Sequence, residues 1–382
     1  MTTAATPKSA NRGERFQLLD LLRGIAAIAV LIYHGENYLG VELLPNAYLA
    51  VDMFFLLSGF VIAHNYDGKI ARGMSLRDFV VQRLIRLYPC FALTFVLGFI
   101  FASARFARDA GFFDGWRLLA AAVMNAAFLP AVIEPYNIND VFPFNGAAWS
   151  LTFELFANIL YWLLFRHLGL RTLLLIITGS TVALTVIGSS MGTIDVGMRP
   201  QDFVWGIPRV LLSFFAGVAL RRYAFDRVHL RTHNFGVALG VVVLLLSFSS
   251  SRFVPKHSLM LVDLATVVVV FPLLMTALYR VVPGPRLEKI CKLTGDASYP
   301  VYLLQTPFVM VFAAVPQVLF HTKAHAWVPY IGIAHITATI VCALWIDRYF
   351  ELPLRNYLKA RWIALQQRKA LRATVAETVK TP

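Results

Sequence analysis

The sequence predicts an all-α, polytopic integral membrane helix bundle, on three observations: its composition, the recurrence of long apolar stretches, and the placing of positive charge between them. Hydrophobic residues fill 58% of the 382 positions and charged residues 15%, with a mean hydropathy of +0.65. A soluble domain carries about 25% charged residues. Apolar stretches near the roughly 20 residues needed to cross a hydrocarbon core recur along nearly the whole chain. Lys and Arg outnumber Asp and Glu by 35 to 21, for a formal net charge of +14. These cations gather between apolar segments, as the positive-inside rule and anionic lipid require. The basic balance is therefore read as topology and lipid contact, with no nucleic-acid partner.

The candidate spans are 17–35, 47–65, 87–104, 116–133, 147–165, 172–190, 203–220, 234–250, 258–279, 297–318 and 327–347. Lys8, Arg12 and Arg15 place the N-terminus in the cytoplasm, and 35–46, without Lys or Arg, suits the outer side. Lys69, Arg72, Arg77, Arg83 and Arg86 mark an inner connection, as do Arg221, Arg222, Arg227 and Arg231, and then Arg280, Arg286, Lys289 and Lys292. Arg348, Arg355, Lys359 and Arg361 place the C-terminus inside, so the number of crossings is even. Segment 116–133 is the weakest span, and 134–146 after it has two acids and no Lys or Arg. About ten crossings are expected, with 116–133 re-entrant or packed at the outer side. Charge alone leaves open that this segment spans and another does not.

Residues 1–14 are polar and expected to be disordered in the cytoplasm. Residues 15–356 form the membrane domain, and 357–382 a basic tail suited to the cytoplasmic membrane surface. The first span contains Asp20 and Arg23 and lacks a small-residue cleavage pattern, so it reads as a retained signal anchor. There is no internal repeat. Cys90, Cys291 and Cys342 lie far apart and form no metal-ligand spacing, so neither disulfides nor a metal site is expected.

Chemistry is sought among ionisable groups inside apolar sequence, which are costly in a membrane and point to function. Arg23 and His34 are eleven residues apart in the first span, nearly on one helical face and separated by about 16 Å of rise. Asp20, Gly24, Ala27, Leu31 and His34 share that face, and Arg23 can reach Asp20 at i,i+3. The small residues admit a neighbouring helix or a ligand. His34 can take a proton from a hydroxyl near neutral pH. The alternative reading is an interfacial Asp20–Arg23 pair with His34 capping the helix. Asp52 in the second span is available to Arg23 or to another partner, and Ser58-Gly59 is a small pair suited to helix packing.

Ser75-Leu76-Arg77-Asp78 resembles a helix N-cap. The helix it opens carries Arg83 and Arg86 at i,i+3, whose guanidinium forks suit phosphate oxygens, free or in lipid headgroups. Glu154 lies one turn or more into the fifth candidate span and should face the protein interior, as a partner for an arginine or as part of a site. Trp149 and Tyr161 suit interfacial anchors. Thr294–Gln305 and Asp347–Pro353 read as helix entry and exit. His64, His167, His229, His233, His257, His321, His325 and His335 form no ligand pattern.

In order along the chain, Leu19-Asp20-Leu21-Leu22-Arg23-Gly24 leads to His34; Val51-Asp52-Met53-Phe54-Phe55 to Ser58-Gly59-Phe60; then come Arg83-Leu84-Ile85-Arg86, Trp149-Ser150-Leu151 with Glu154, Ser298-Tyr299 with Tyr302-Leu303, and Phe350-Glu351-Leu352-Pro353. Each motif alone is weak. The ordered set, over about residues 15–356, resembles the acyltransferase-3 family of membrane-bound O-acyltransferases. The resemblance implies transfer of an acyl group, usually acetyl, from cytoplasmic acyl-CoA as donor substrate, with no permanently bound cofactor. Acceptors would be hydroxyls of a surface polysaccharide or lipid-linked saccharide, such as exopolysaccharide or lipopolysaccharide, with glycan-assembly proteins as further partners. The setting would be a bacterial cytoplasmic membrane. Arg23 and His34 match the family's Arg-x10-His motif, and Arg83 and Arg86 its Arg-x-x-Arg motif. The chain resembles members without a fused extracytoplasmic domain. Gln305 stands where many members have a histidine after Tyr-Leu-Leu, which removes a second titrating histidine at that position.

On this reading Arg83 and Arg86 clamp CoA phosphates, His34 serves as general base or transient acyl carrier, and Asp20, Arg23 and Glu154 orient the site. The competing reading is a multi-pass transporter of a small anionic or sugar solute, or a non-catalytic scaffold. A transporter would share the buried charges, but the chain has no paired broken helices in matching halves.

Overall fold

Helix starts and stops follow local chemistry along the chain. The computed structural model describes residues 16–108, 115–131, 140–224, 234–279, 281 and 283–380. Segment 1–14, Glu134, Arg227, His229, Arg231, His233 and Arg280 lie outside the described residues. Among those described, the secondary structure is helical: α1 Gln17–Leu39, α2 Ala50–Ala71, α3 Leu76–Arg108, α4 Gly115–Ala126, α5 Ala148–Leu164, α6 Leu170–Met191, α7 Gly206–Ala219, α8 Asn234–Ser247, α9 Leu259–Ala265, α10 Phe271–Leu278, α11 Pro285–Phe320, α12 Tyr330–Ile346 and α13 Leu352–Lys380.

Nine of the described helical segments are long and apolar enough to cross a membrane, and Gly236–Ser247 is a shorter apolar helix. Segment 116–133 does not form a span. Its helix, α4, has 12 residues, about 18 Å of rise against a core of about 30 Å. It stops because Pro130 disfavours helix at Leu129, because Phe128 takes φ 59°, and because the Asn125 amide donates to the carbonyls of Leu129 and Val141.

α3 begins as its sequence suggests: the Ser75 hydroxyl accepts the Asp78 N–H at 3.1 Å and donates to the Asp78 carboxylate at 2.8 Å. α1 continues past His34 to Gly40, which closes it in the left-handed region at φ 73°. His34 therefore does not cap the helix. Two motifs read as helix ends lie inside long helices instead. Thr294–Gln305 is the middle of α11, whose true start is Pro285, where the missing N–H costs nothing. Asp347–Glu351 is a π-helical turn joining α12 to α13, and helix continues through Pro353 to Lys380. α13 lies against the start of α3, through a Gln366–Asp78 hydrogen bond and Arg77 over the Trp362 ring at 5.8 Å.

The core is built on two helix pairs, α1 with α11 and α2 with α7. α1 and α11 run in parallel: Gln17 bonds Glu288 near their starts, and Arg23 bonds Ser298 further along. Gly24 and Gly295 make this approach close, since a Cβ on either would stand 2.4 Å from Thr294 or 2.6 Å from Asp20. In the second pair, a Cβ on Gly59 would stand 1.9 Å from the Phe214 carbonyl oxygen, and one on Gly217 2.0 Å from that of Leu56. Gly59 of the Ser58-Gly59 pair thus serves helix packing, while Ser58 donates its hydroxyl to Glu154 on α5.

Candidate functional site

A cavity of about 250 Å³ opens at the C-terminal end of α1. α1 supplies Tyr33 and His34; the segment leading into α5 supplies Asp140 and Gly146, and α5 supplies Trp149. Asp195 and Met198 come from the loop between α6 and α7, and Tyr302 and Gln305 from α11. The His34 imidazole is exposed to this space while protein surrounds it, and meets the Tyr33 ring edge-on at 5.2 Å. A solvent-accessible imidazole in a concave site can reach a hydroxyl and take its proton.

One wall is held by a charge network that the sequence reading did not assemble. Arg209 on α7 is fully buried and pairs with Asp52 at 2.9 Å and Asp195 at 3.0 Å. It also donates to the carbonyls of Tyr48 and Val196, and its guanidinium lies 5.4 Å from the Trp149 ring. Asp52 therefore serves Arg209, not Arg23. Trp149 is a cavity wall, and Tyr161 is fully buried with its hydroxyl on Asp67, so neither anchors an interface. Arg209 had a sequence signal, an arginine inside the apolar run Gly206–Ala219. Asp140 and Asp195 had none beyond loop charge.

Asp140 accepts the Phe142 N–H through Oδ1 at 2.8 Å. It keeps partial exposure, yet surrounding protein lifts its carboxyl from 3.8 to about 7 by desolvation.

The remaining motif residues lie at the other end of α1 and below the cavity floor. Ser150 and Tyr302 share a 2.8 Å hydrogen bond at the floor. One turn further along α5, Glu154 pairs with Arg83 at 2.7 Å and accepts the Ser58 hydroxyl at 2.7 Å. Beyond it, Arg86 pairs with the buried Glu351 at 2.6 Å and lies 4.9 Å from the Tyr299 ring centroid. Arg23 pairs with Asp20 at 3.0 Å and donates to the Ser298 hydroxyl at 2.9 Å and the Gly295 carbonyl at 2.7 Å. The predicted site residues thus divide. His34 lines the cavity, whereas Asp20, Arg23, Glu154, Arg83 and Arg86 form a polar layer on the far side of its floor. Two buried atoms of that layer, Arg83 Nε and Glu351 Oε2, have no hydrogen-bond partner.

Gln305 lines the cavity with its Oε1 unpartnered. Beside it His335 on α12 is fully buried, facing the Gln305 backbone. A Cβ on Gly35 would stand 3.2 Å from His335 Nδ1, which puts this second imidazole against α1 one residue beyond His34. Its place emerges only when α12 packs on α1. Among the described residues, no group of three or more His, Cys, Asp or Glu is arranged to hold a metal ion.

Residues 16–346 match the family described as Acyltransferase domain, acyltransferase-3. Protein 2 in the picA locus of Rhizobium radiobacter is 33% identical over 182 residues, which is 45% of this chain and 94% of that protein. O-acetyltransferase OatA of Staphylococcus aureus is 24% identical over 371 residues, 88% of this chain and 57% of OatA, so the match spans little more than half of that relative. No solved structure gives a significant match. A match over residues 16–346, on a bundle whose ordered motifs meet around one cavity and the layer beneath it, makes this chain a polytopic membrane protein of the acyltransferase-3 family.

Proposed function

We propose that this protein moves an acyl group, acetyl in the first instance, from acyl-CoA to a hydroxyl of a surface polysaccharide or lipid-linked saccharide. The observation that carries the reading is the stacking of two polar centres in one bundle: His34 in a cavity, and the Arg83–Arg86 layer beyond the cavity floor. The name O-acetyltransferase belongs to OatA and supports acetyl as the first donor to test. Positive charge supports a cytoplasmic face for the arginine layer, both termini in the cytoplasm, and a bacterial inner-membrane setting.

In the proposed reaction acyl-CoA docks at the arginine layer. Arg86, partly exposed, and Arg83 one turn before it meet the CoA phosphates. The pantetheine arm passes the Tyr302 level and brings the thioester to His34. The acceptor oxygen attacks the thioester carbonyl as His34 takes the hydroxyl proton. The C–S bond breaks, the imidazolium proton passes to the departing thiolate, and the products are the O-acyl ester and free CoA. Glu154 and Ser58 hold Arg83, Glu351 holds Arg86, and Asp20 with Ser298 holds Arg23, so these groups act by positioning.

The test is the O-acyl content of the host's surface glycans, read by NMR in a deletion strain carrying wild type or His34→Ala at matched protein levels. One acyl signal restored by wild type alone is expected. Equal restoration by both removes His34 from the chemistry, and an unchanged spectrum in every strain removes surface glycans as the acceptor.

A further inference from the structure

The cavity contains two carboxyl groups in different settings. Asp195 is held at 3.0 Å by Arg209, which offsets its charge. Asp140 makes no ion pair among the described residues: Oδ1 takes the Phe142 N–H, and Oδ2 has no hydrogen-bond partner there. Oδ2 points toward Gly146, also a cavity residue, where a Cβ would stand 2.7 Å from it. Glycine at 146 keeps the approach to that oxygen open. Tyr33, Tyr48, Trp149 and Tyr302 give the cavity aromatic faces, and no Lys or Arg is among its described lining residues.

We propose that Asp140 is the carboxylate that binds the acyl acceptor, and that the acceptor moiety is a single neutral or amine-bearing sugar-sized ring in preference to an anionic one. This rests on the acyl-transfer reading. A carboxylate accepts hydrogen bonds from hydroxyl or ammonium donors and offers none to another carboxylate. Aromatic rings supply apolar faces for the C–H surface of a sugar. An anionic ring would bring a second negative charge beside Asp140 with no lining cation to meet it. The oxygen lies in the same cavity as His34, so a ring held by one hydroxyl on Asp140 can present another to the imidazole. Asp140 thereby selects and orients the acceptor, and His34 takes the proton.

The experiment uses the full chain in lipid nanodiscs with radiolabelled acetyl-CoA and three acceptor probes: methyl glucoside, methyl glucosaminide and methyl glucuronide. Wild type is expected to acetylate the first two in preference to the third by about 10-fold or more, the scale of a charge-assisted hydrogen bond. Asp140→Asn retains an oxygen for the Phe142 N–H while losing the charge. It should raise the acceptor KM by about 10-fold or more and narrow the discrimination against glucuronide. Gly146→Ala crowds Oδ2 without changing charge, and should raise the same KM even where Asp140→Asn fails to fold. A folded Asp140→Asn or Gly146→Ala protein with unmoved acceptor KM and discrimination overturns the assignment. Hydrolysis without transfer to any probe overturns the single-ring acceptor. A wild type that turns over no thioester at all overturns the acyl-transfer reading beneath it.

Discussion

Arg86 and Glu351 lie 265 residues apart in sequence and meet at 2.6 Å, with Glu351 almost fully buried. Removing Arg86 leaves Glu351 with only its longer contact to Arg355 at 3.5 Å, so Arg86→Ala should destabilise by about 1–3 kcal/mol. Arg86→Ala with Glu351→Gln should cost less than the sum of the single changes. Thermal melts of the four proteins check this, and additive losses would refute the pairing. The i,i+3 contact of Arg23 with Asp20 was legible in the sequence because helical spacing fixes it. The partner of Asp52 was not, since Arg209 is 157 residues away and only the α2–α7 crossing joins them.

Asp140 also sets a pH dependence. Burial raises its carboxyl from 3.8 to about 7, so between these values the folded chain holds a proton that the unfolded chain has released. Its contribution to stability is therefore largest below pH 4 and is lost as pH rises through about 7. The melting temperature of Asp140→Asn should gain on wild type across that window, the other ionisable groups lining the cavity being common to both proteins. A constant difference would contradict the buried carboxyl. On the proposed role of Asp140 the ionised form holds the acceptor, so the wild-type acceptor KM should fall through about pH 7, and that limb should vanish in Asp140→Asn.

At the scale of elements, the crossing of α2 and α7 depends on the absence of two side chains. Gly59→Val or Gly217→Val would drive carbon into a backbone carbonyl of the facing helix. A loss of about 1–3 kcal/mol or more is expected from such overpacking, read as a lower melting temperature in detergent. An unchanged melt would mean that the helices do not cross there. Where one residue decides a boundary, the sequence was readable: Ser75 caps α3, and Gly59 of the Ser58-Gly59 pair reads as a packing residue. Where a boundary depends on continuation, it was not. The apolar pattern of 116–133 outlasts the helix that Asn125 and Pro130 end, and Pro300 and Pro353 sit inside helices that packing and a π-helical turn carry through.

At the scale of the whole molecule, composition and charge spacing were enough to reveal a polytopic bundle, because bilayer thickness dictates span length. The division of labour inside it was not legible. Eleven residues separate Arg23 from His34 on α1, but only the packing of α1 against α11 places Arg23 in the layer with Ser298 and leaves His34 in the cavity. On the proposed function that separation lets the donor enter at one end of the bundle and the hydroxyl at the other. Proteoliposomes of uniform orientation test it directly, with labelled acetyl-CoA added on the arginine side and the acceptor sealed on the cavity side. Label on the enclosed acceptor with wild type, and none with His34→Ala, is the predicted result. Transfer only when donor and acceptor share one side would contradict it.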